Sequence, residues 1–214
     1  MMEAIMILKI IKSPIDMKKT ILTAALLLLA KFATASAAVD LGTATEHTPY
    51  DRFLTPVKEV FSGMHGDGAS MDKVQAAMRQ GRAFRYAHTE PYVPAMPQET
   101  ASRHVGDCKD KALWLMDQLQ DPSARFVIGK MTRGAKLSHA WVMWQHDNQW
   151  WILDCTMLNK PVPADKLSSN EYVPLYSYSR NSAYRHSDKT GATADVAGKK
   201  QSPVASTDKL AANN

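Results

Sequence analysis

The chain is short of cysteine, of long apolar runs and of unbalanced charge. Its two cysteines, Cys108 and Cys155, allow one disulfide at most. The apolar run Ile21 to Ala30 has ten residues, and about twenty are needed to span a bilayer. The net charge is +5, but residues 1–37 hold five lysines against two acidic groups, which leaves +2 for the rest. A near-neutral body gives no case for a nucleic-acid partner. No internal repeat is visible. Beyond about Ser187, large apolar groups almost vanish and Ala, Thr, Lys, Asp and Gly take over. The composition predicts a disordered tail over 187–214, because such a segment buries too little to offset its ordering entropy.

Residues 1–37 read as a leader. Met17-Lys18-Lys19 supplies a positive start, Ile21 to Ala30 an apolar centre, and Ala35-Ser36-Ala37 an A-x-A cleavage pattern. Met17 is the expected true start. The expectation is a periplasmic or secreted protein with no stable membrane insertion once the leader is removed. In such a compartment Cys108 and Cys155 could pair, and that structural reading stands beside any catalytic one.

The rest divides by period. Ala38 to Pro49 is small and polar and reads as an arm. Phe53, Val57, Val60 and Phe61 fit one helical face, ended by the glycines at 63–68. Ser70 opens a second helix, with Met71, Val74, Ala77 and Met78 in phase and Gly81 closing it. Tyr86 to Pro97 holds three prolines and reads as an extended loop. Pro97 then fits the first position of a short helix. Strands are expected at 125–130, 138–146, 149–156 and 172–178. Pro174 suggests that the last is an edge. Helices first and strands later predict an α+β domain over 45–186.

The most informative stretch is Gly106-Asp107-Cys108-Lys109-Asp110. It precedes Ala112, Leu115, Met116 and Leu119, which recur at helical spacing. Asp107 fits the N-cap, and Asp110 three residues on can complete a capping box. Cys108 then sits at the first helical position, where the positive end of the helix dipole favours the nucleophilic thiolate. A catalytic thiol needs a base, and the base an orienting group. His139 opens one strand and Asp154 closes the next. A hairpin turn centred on Asp147-Asn148 pairs residues so that His139 and Asp154 become diagonal neighbours on one face. Alternation puts Cys155 on the other face, facing away from Cys108 if the helix start meets the His139 face. Four of the five tryptophans, Trp141, Trp144, Trp150 and Trp151, read as sheet packing.

The three blocks 106–110, Ser138-His139-Ala140-Trp141-Val142 and Trp150-Trp151-Ile152-Leu153-Asp154 resemble those of the transglutaminase-like fold. Pro97-Gln98-Glu99-Thr100 upstream is similar to the bacterial transglutaminase-like cysteine peptidases. The resemblance covers roughly residues 70–160 and implies a papain-like core, with Cys108 at the start of a central helix packed on an antiparallel sheet. It implies Cys108 as nucleophile, His139 as base and Asp154 as orienting group. An oxyanion hole would use the Cys108 N–H and a second donor, with Gln98, Arg103 and His104 as candidates. Two departures stand out. Calcium-dependent members carry an acidic residue directly after the cysteine. Lys109 in that place disfavours calcium, although Asp107 and Asp110 remain to leave it possible, and no other cofactor is expected. No Trp precedes Cys108, unlike in true transglutaminases. The expected activity is hydrolysis of amide or peptide bonds in a protein or peptide substrate. The alternatives are transamidation and a non-catalytic transglutaminase-like module.

Overall fold

Helical spacing yields helices in the first half of the chain, and alternation yields strands in the second. The computed structural model describes residues 39–90 and 92–187. The expectations for the leader at 1–37 and for the tail from 188 fall outside the described residues.

The arm holds an edge strand, β1 (Thr43–Thr45). Its backbone groups pair with a strand near the end of the described chain, Thr43 opposite Arg185, which composition alone does not signal. A 3-10 turn at Asp51–Phe53 takes Phe53 out of the first helix. That helix, α1 (Thr55–Gly63), buries Val57, Val60 and Phe61. Helix α2 (Met71–Ala83) starts at the Ser70 N-cap, whose side chain accepts from the Lys73 N–H. It runs through Gly81 instead of stopping there. The glycine is needed for space: a Cβ would lie 2.7 Å from the Trp114 ring and 2.8 Å from Cys155 Sγ. A short strand β2 (Arg85–Tyr86) leads into the proline loop. Helix α3 (Pro97–Arg103) begins on its proline, as expected, and strand β3 (Val105–Gly106) returns parallel to β2.

Helix α4 (Cys108–Leu119) is central. Apart from Cys108, Asp117 and Gln118 it is buried on all sides, including Lys109, Asp110 and Lys111. Gln120, in the left-handed region at φ 52°, ends it just before Asp121-Pro122. The strands β4 (Arg125–Thr132), β5 (His139–His146), β6 (Gln149–Leu153), β7 (Val162–Pro163), β8 (Glu171–Tyr178) and β9 (Ala183–Arg185) follow. With β1 they form a seven-stranded sheet in the order β1-β9-β8-β4-β5-β6-β7, all pairs antiparallel. The fold is thus α+β, with a cysteine at the start of a helix packed on an antiparallel sheet.

Two strand expectations are corrected. β8 is interior, lying between β4 and β9. Pro174 is tolerated there because the register shifts beside it, from Ile128 opposite Tyr176 to Gly129 opposite Pro174. Such a bulge leaves a residue out of the ladder and relieves the proline of its missing donor. β6 ends at Leu153, so Asp154, Cys155 and Thr156 form a turn and not a strand.

The hairpin register is the expected one. Asp147 and Asn148 take φ of 50° and 59°, the positive values a two-residue hairpin turn requires. Val142 therefore faces Leu153 and Met143 faces Ile152. One sheet face packs Ala140, Val142, Trp144 and Leu153 against α4 in the main core. The other carries Val127, Trp141, Met143, Ile152 and Tyr172.

Candidate active site

The head of α4 is built as its sequence demands. Asp107 Oδ1 accepts the Lys109 and Asp110 N–H groups at 3.1 and 3.5 Å, and Asp110 Oδ2 accepts the Asp107 N–H at 3.2 Å. These bonds complete the capping box. Gly106 lets the chain enter closely, since a Cβ there would lie 2.8 Å from that of Asp110. Cys108 is half-buried at the first helical position.

His139, the first residue of β5, is buried. Its Nε2 lies 2.7 Å from Asp154 Oδ2. This contact engages one ring nitrogen and leaves Nδ1 for a second partner, and Cys108 is near enough to act on the ionisation of the ring. Trp141 stacks alongside the ring at 6.1 Å between centroids. Burial alone would depress the His139 pKa. The Asp154 hydrogen bond, with the influence of the Asp154 and Cys108 charges, outweighs it and raises the value to about 9. The imidazole is therefore cationic at neutral pH.

Asp154 is 2 % exposed and fully engaged. Oδ2 receives His139 and the Tyr172 hydroxyl, the latter at 2.9 Å. Oδ1 receives the Thr156 and Met157 N–H groups at 2.8 and 3.2 Å. The carboxylate is at once the partner of His139 and the organiser of the turn that ends β6. Tyr172 has no counterpart among the residues singled out from sequence. It lies 18 positions from Asp154 on another strand, and a tyrosine within an aromatic run carries no signal of such a bond.

The expectation for Cys155 holds in one part and fails in another: it lies on the face opposite His139 and is not paired with Cys108, but that face is the one the helix covers. The body of α4 packs on the face opposite to His139 and Trp141, and Cys155 lies on that same helix side. Its thiol is within 3.6 Å of the Lys111 carbonyl. Cys108, at the head of α4, is near enough to act on His139, which stands at the very start of its strand. Cys108 and Cys155 are both free. Burial, aided by the nearby Asp154 charge, pushes the Cys155 thiol up to about 12, so it stays protonated and inert.

The three oxyanion candidates separate. Arg103 is ion-paired with Glu99 at 2.7 Å on the surface. His104, in the left-handed region at φ 51°, sets its ring edge-on to Phe84. Gln98 is exposed in the first turn of α3.

The charge on His139 links stability to pH. The folded protein holds this proton more tightly than the unfolded chain, whose histidine titrates at its ordinary value of 6.5. The resulting stabilisation is complete below about pH 6.5 and is lost as pH rises through about 9. It amounts to about 3 kcal/mol. The melting-temperature gap between the wild type and His139→Gln should therefore close by about 5–10 °C from pH 6.5 to pH 9.5. A gap that stays constant would contradict a charged imidazole.

No protein-family model and no curated protein matches the chain. Among solved structures it is similar to LapG of Legionella pneumophila, at 14% identity over 59% of this chain and 74% of that one, with a TM-score of 0.45. The calcium-bound form of LapG is similar at 13% identity over 64% and 81%, with a TM-score of 0.46. A Cytophaga hutchinsonii protein assigned to the cysteine proteases is similar at 17% identity over 64% and 60%, with a TM-score of 0.35. Each is a likeness of architecture only.

Proposed function

We propose that the protein is an exported thiol hydrolase that cleaves amide or peptide bonds in a protein or peptide substrate. The observation that supports this best is the His139 Nε2–Asp154 Oδ2 bond at 2.7 Å, on an imidazole whose ionisation Cys108 at the head of α4 also influences. In this reading the Cys108 thiolate attacks the carbonyl carbon of the substrate. The His139 imidazolium gives its proton to the leaving amine, and a thioester remains on Sγ. Neutral His139 then takes a proton from water, whose oxygen attacks the thioester. The acid leaves and the thiolate is restored. Asp154 keeps Nε2 protonated and the ring aimed at sulfur, the role of the carboxylate in other triads. The Cys108 N–H, unsatisfied within its helix, supplies one oxyanion donor. Gln98, uncommitted to a surface ion pair of the Arg103 kind, is the proposed second.

Export rests on the A-x-A leader. Among the described residues no helix is long and apolar enough to cross a membrane. Calcium does not fit the carboxylates beside Cys108, because the Lys109 ammonium already lies among their oxygens. Nζ is 2.5 Å from Asp107 Oδ2 and 2.7 Å from Thr89 Oγ1.

The test is a digest of a denatured protein mixture, read as new amino termini by mass spectrometry. Wild-type protein is expected to create them and Cys108→Ser to create none. Equal cleavage by both would overturn the proposal. Adding an alkylamine sorts the two fates of the thioester: acid products mark a hydrolase, and amide products in excess mark a transamidase.

A further inference from the structure

Lys109 is buried, at 4 % exposure, directly after the half-buried Cys108. A lysine almost never goes so deep without anionic partners. Its Nζ contacts Asp107 Oδ2 at 2.5 Å, Thr89 Oγ1 at 2.7 Å and the Thr89 carbonyl at 3.1 Å, with Asp110 Oδ1 at 3.8 Å. The Tyr92 ring lies 5.9 Å away. Both carboxylates are themselves buried, at 3 % and 1 %. Beyond the capping bonds, their remaining contacts come from the same loop. Thr89 Oγ1 lies 3.2 Å from Asp107 Oδ2 and 3.0 Å from Asp110 Oδ2, and the Ala95 N–H donates to Asp110 Oδ1 at 2.9 Å. The ammonium thus joins two anions to the proline loop at the point where the nucleophile emerges.

The electrostatic consequence falls on Cys108. Two carboxylates within two residues of a thiol oppose its ionisation, against the favourable helix dipole. We propose that Lys109 is a built-in cation that cancels these carboxylates, so that the helix dipole and His139 can hold Cys108 as a thiolate without a bound metal ion. It is a positioning residue, since it acts through Asp107, Asp110 and the loop. The other titratable groups around the thiol do not duplicate it. Tyr86 and Tyr92 are held neutral, their pKa values raised first by burial and then by nearby negative charge, including that of Cys108. His88 is exposed and 3.8 Å from Asp107. His139, at the start of β5, is the remaining titratable group, and its ionisation is influenced by Cys108.

This inference rests on the proposed thiol chemistry, and its test separates the two. The rate of Cys108 alkylation by iodoacetamide is measured against pH on the full chain, by peptide mapping. Wild type should react faster at pH 6.5 than a free cysteine, and neither EDTA nor added calcium should change the rate. Lys109→Met should lower the rate at pH 6.5 by about tenfold and move the profile to higher pH. Lys109→Met with Asp107→Asn removes one charge of each sign and keeps a good N-cap. It should recover most of the rate and also the fold if Lys109→Met alone is unstable. A wild type that slows on chelation would overturn the inference, as would a double variant that is folded but no faster than Lys109→Met. A wild-type Cys108 no more reactive than free cysteine would instead sink the thiol-hydrolase reading itself.

Discussion

Asp154→Asn is expected to cut turnover by about 10⁴, the size of effect when a triad carboxylate becomes an amide. The structure explains why so small a change acts so strongly. Asp154 Oδ2 accepts from both His139 Nε2 and the Tyr172 hydroxyl. An amide nitrogen in that position would meet two donors. The imidazole escapes by moving its proton to Nδ1, which then points at sulfur and cannot take the thiol proton. Turning the amide over rescues this side but sets its NH₂ against the Thr156 and Met157 N–H groups, which now donate to Oδ1. Either way a buried donor is left unpaired, at about 1–3 kcal/mol. Asp154→Ala strands all four donors and should destabilise by about 3–5 kcal/mol, with the end of β6 loosened. Steady-state peptide hydrolysis and chemical denaturation together check both parts. A normal turnover number in a folded Asp154→Asn protein would remove Asp154 from the mechanism.

Cys108→Ala should abolish hydrolysis and should also change His139. Loss of the nucleophile of a triad costs about 10⁶ in turnover, down to the residue of catalysis left by binding alone. The second effect is specific to the geometry described. Part of what raises the His139 pKa to about 9 comes from Cys108. Removing it leaves burial opposed by Asp154 alone, so the His139 pKa falls. An NMR titration of the imidazole should find the wild type near 9 and the variant clearly lower. The half-buried sulfur touches the main core only at its margin, so stability should change by less than about 1.5 kcal/mol. An unchanged His139 titration would show that the two side chains are not coupled.

How much of this could be read from sequence follows from the range of the interactions. The head of α4 is legible because a capping box is local, spanning Asp107 to Asp110. The His139–Asp154 contact is legible because the Asp147-Asn148 turn fixes the register across a short hairpin. That the helix covers the Cys155 side is not legible, because parity puts Cys155 opposite His139, where it lies, but cannot say which face a helix covers. Tyr172 and Thr89 reach the site from residues 18 and 20 positions away, and nothing near them in sequence marks that reach. Lys109 was visible only as a departure from a resembled pattern, and burial among carboxylates is what gives it meaning. The arm at Thr43–Thr45 is polar yet ordered as an edge strand, because backbone pairing with β9 does not depend on apolar side chains.

The central claim is that Cys108 is an activated nucleophile and Cys155 is not. The most direct measurement is trapping of the purified protein at neutral pH with an electrophilic peptide library, followed by non-reducing peptide mapping. The account predicts adducts on Cys108, almost none on Cys155, and loss of Cys108 labelling in His139→Ala. Labelling of both cysteines at equal rates, or recovery of a linked Cys108–Cys155 peptide as the major species, would contradict it.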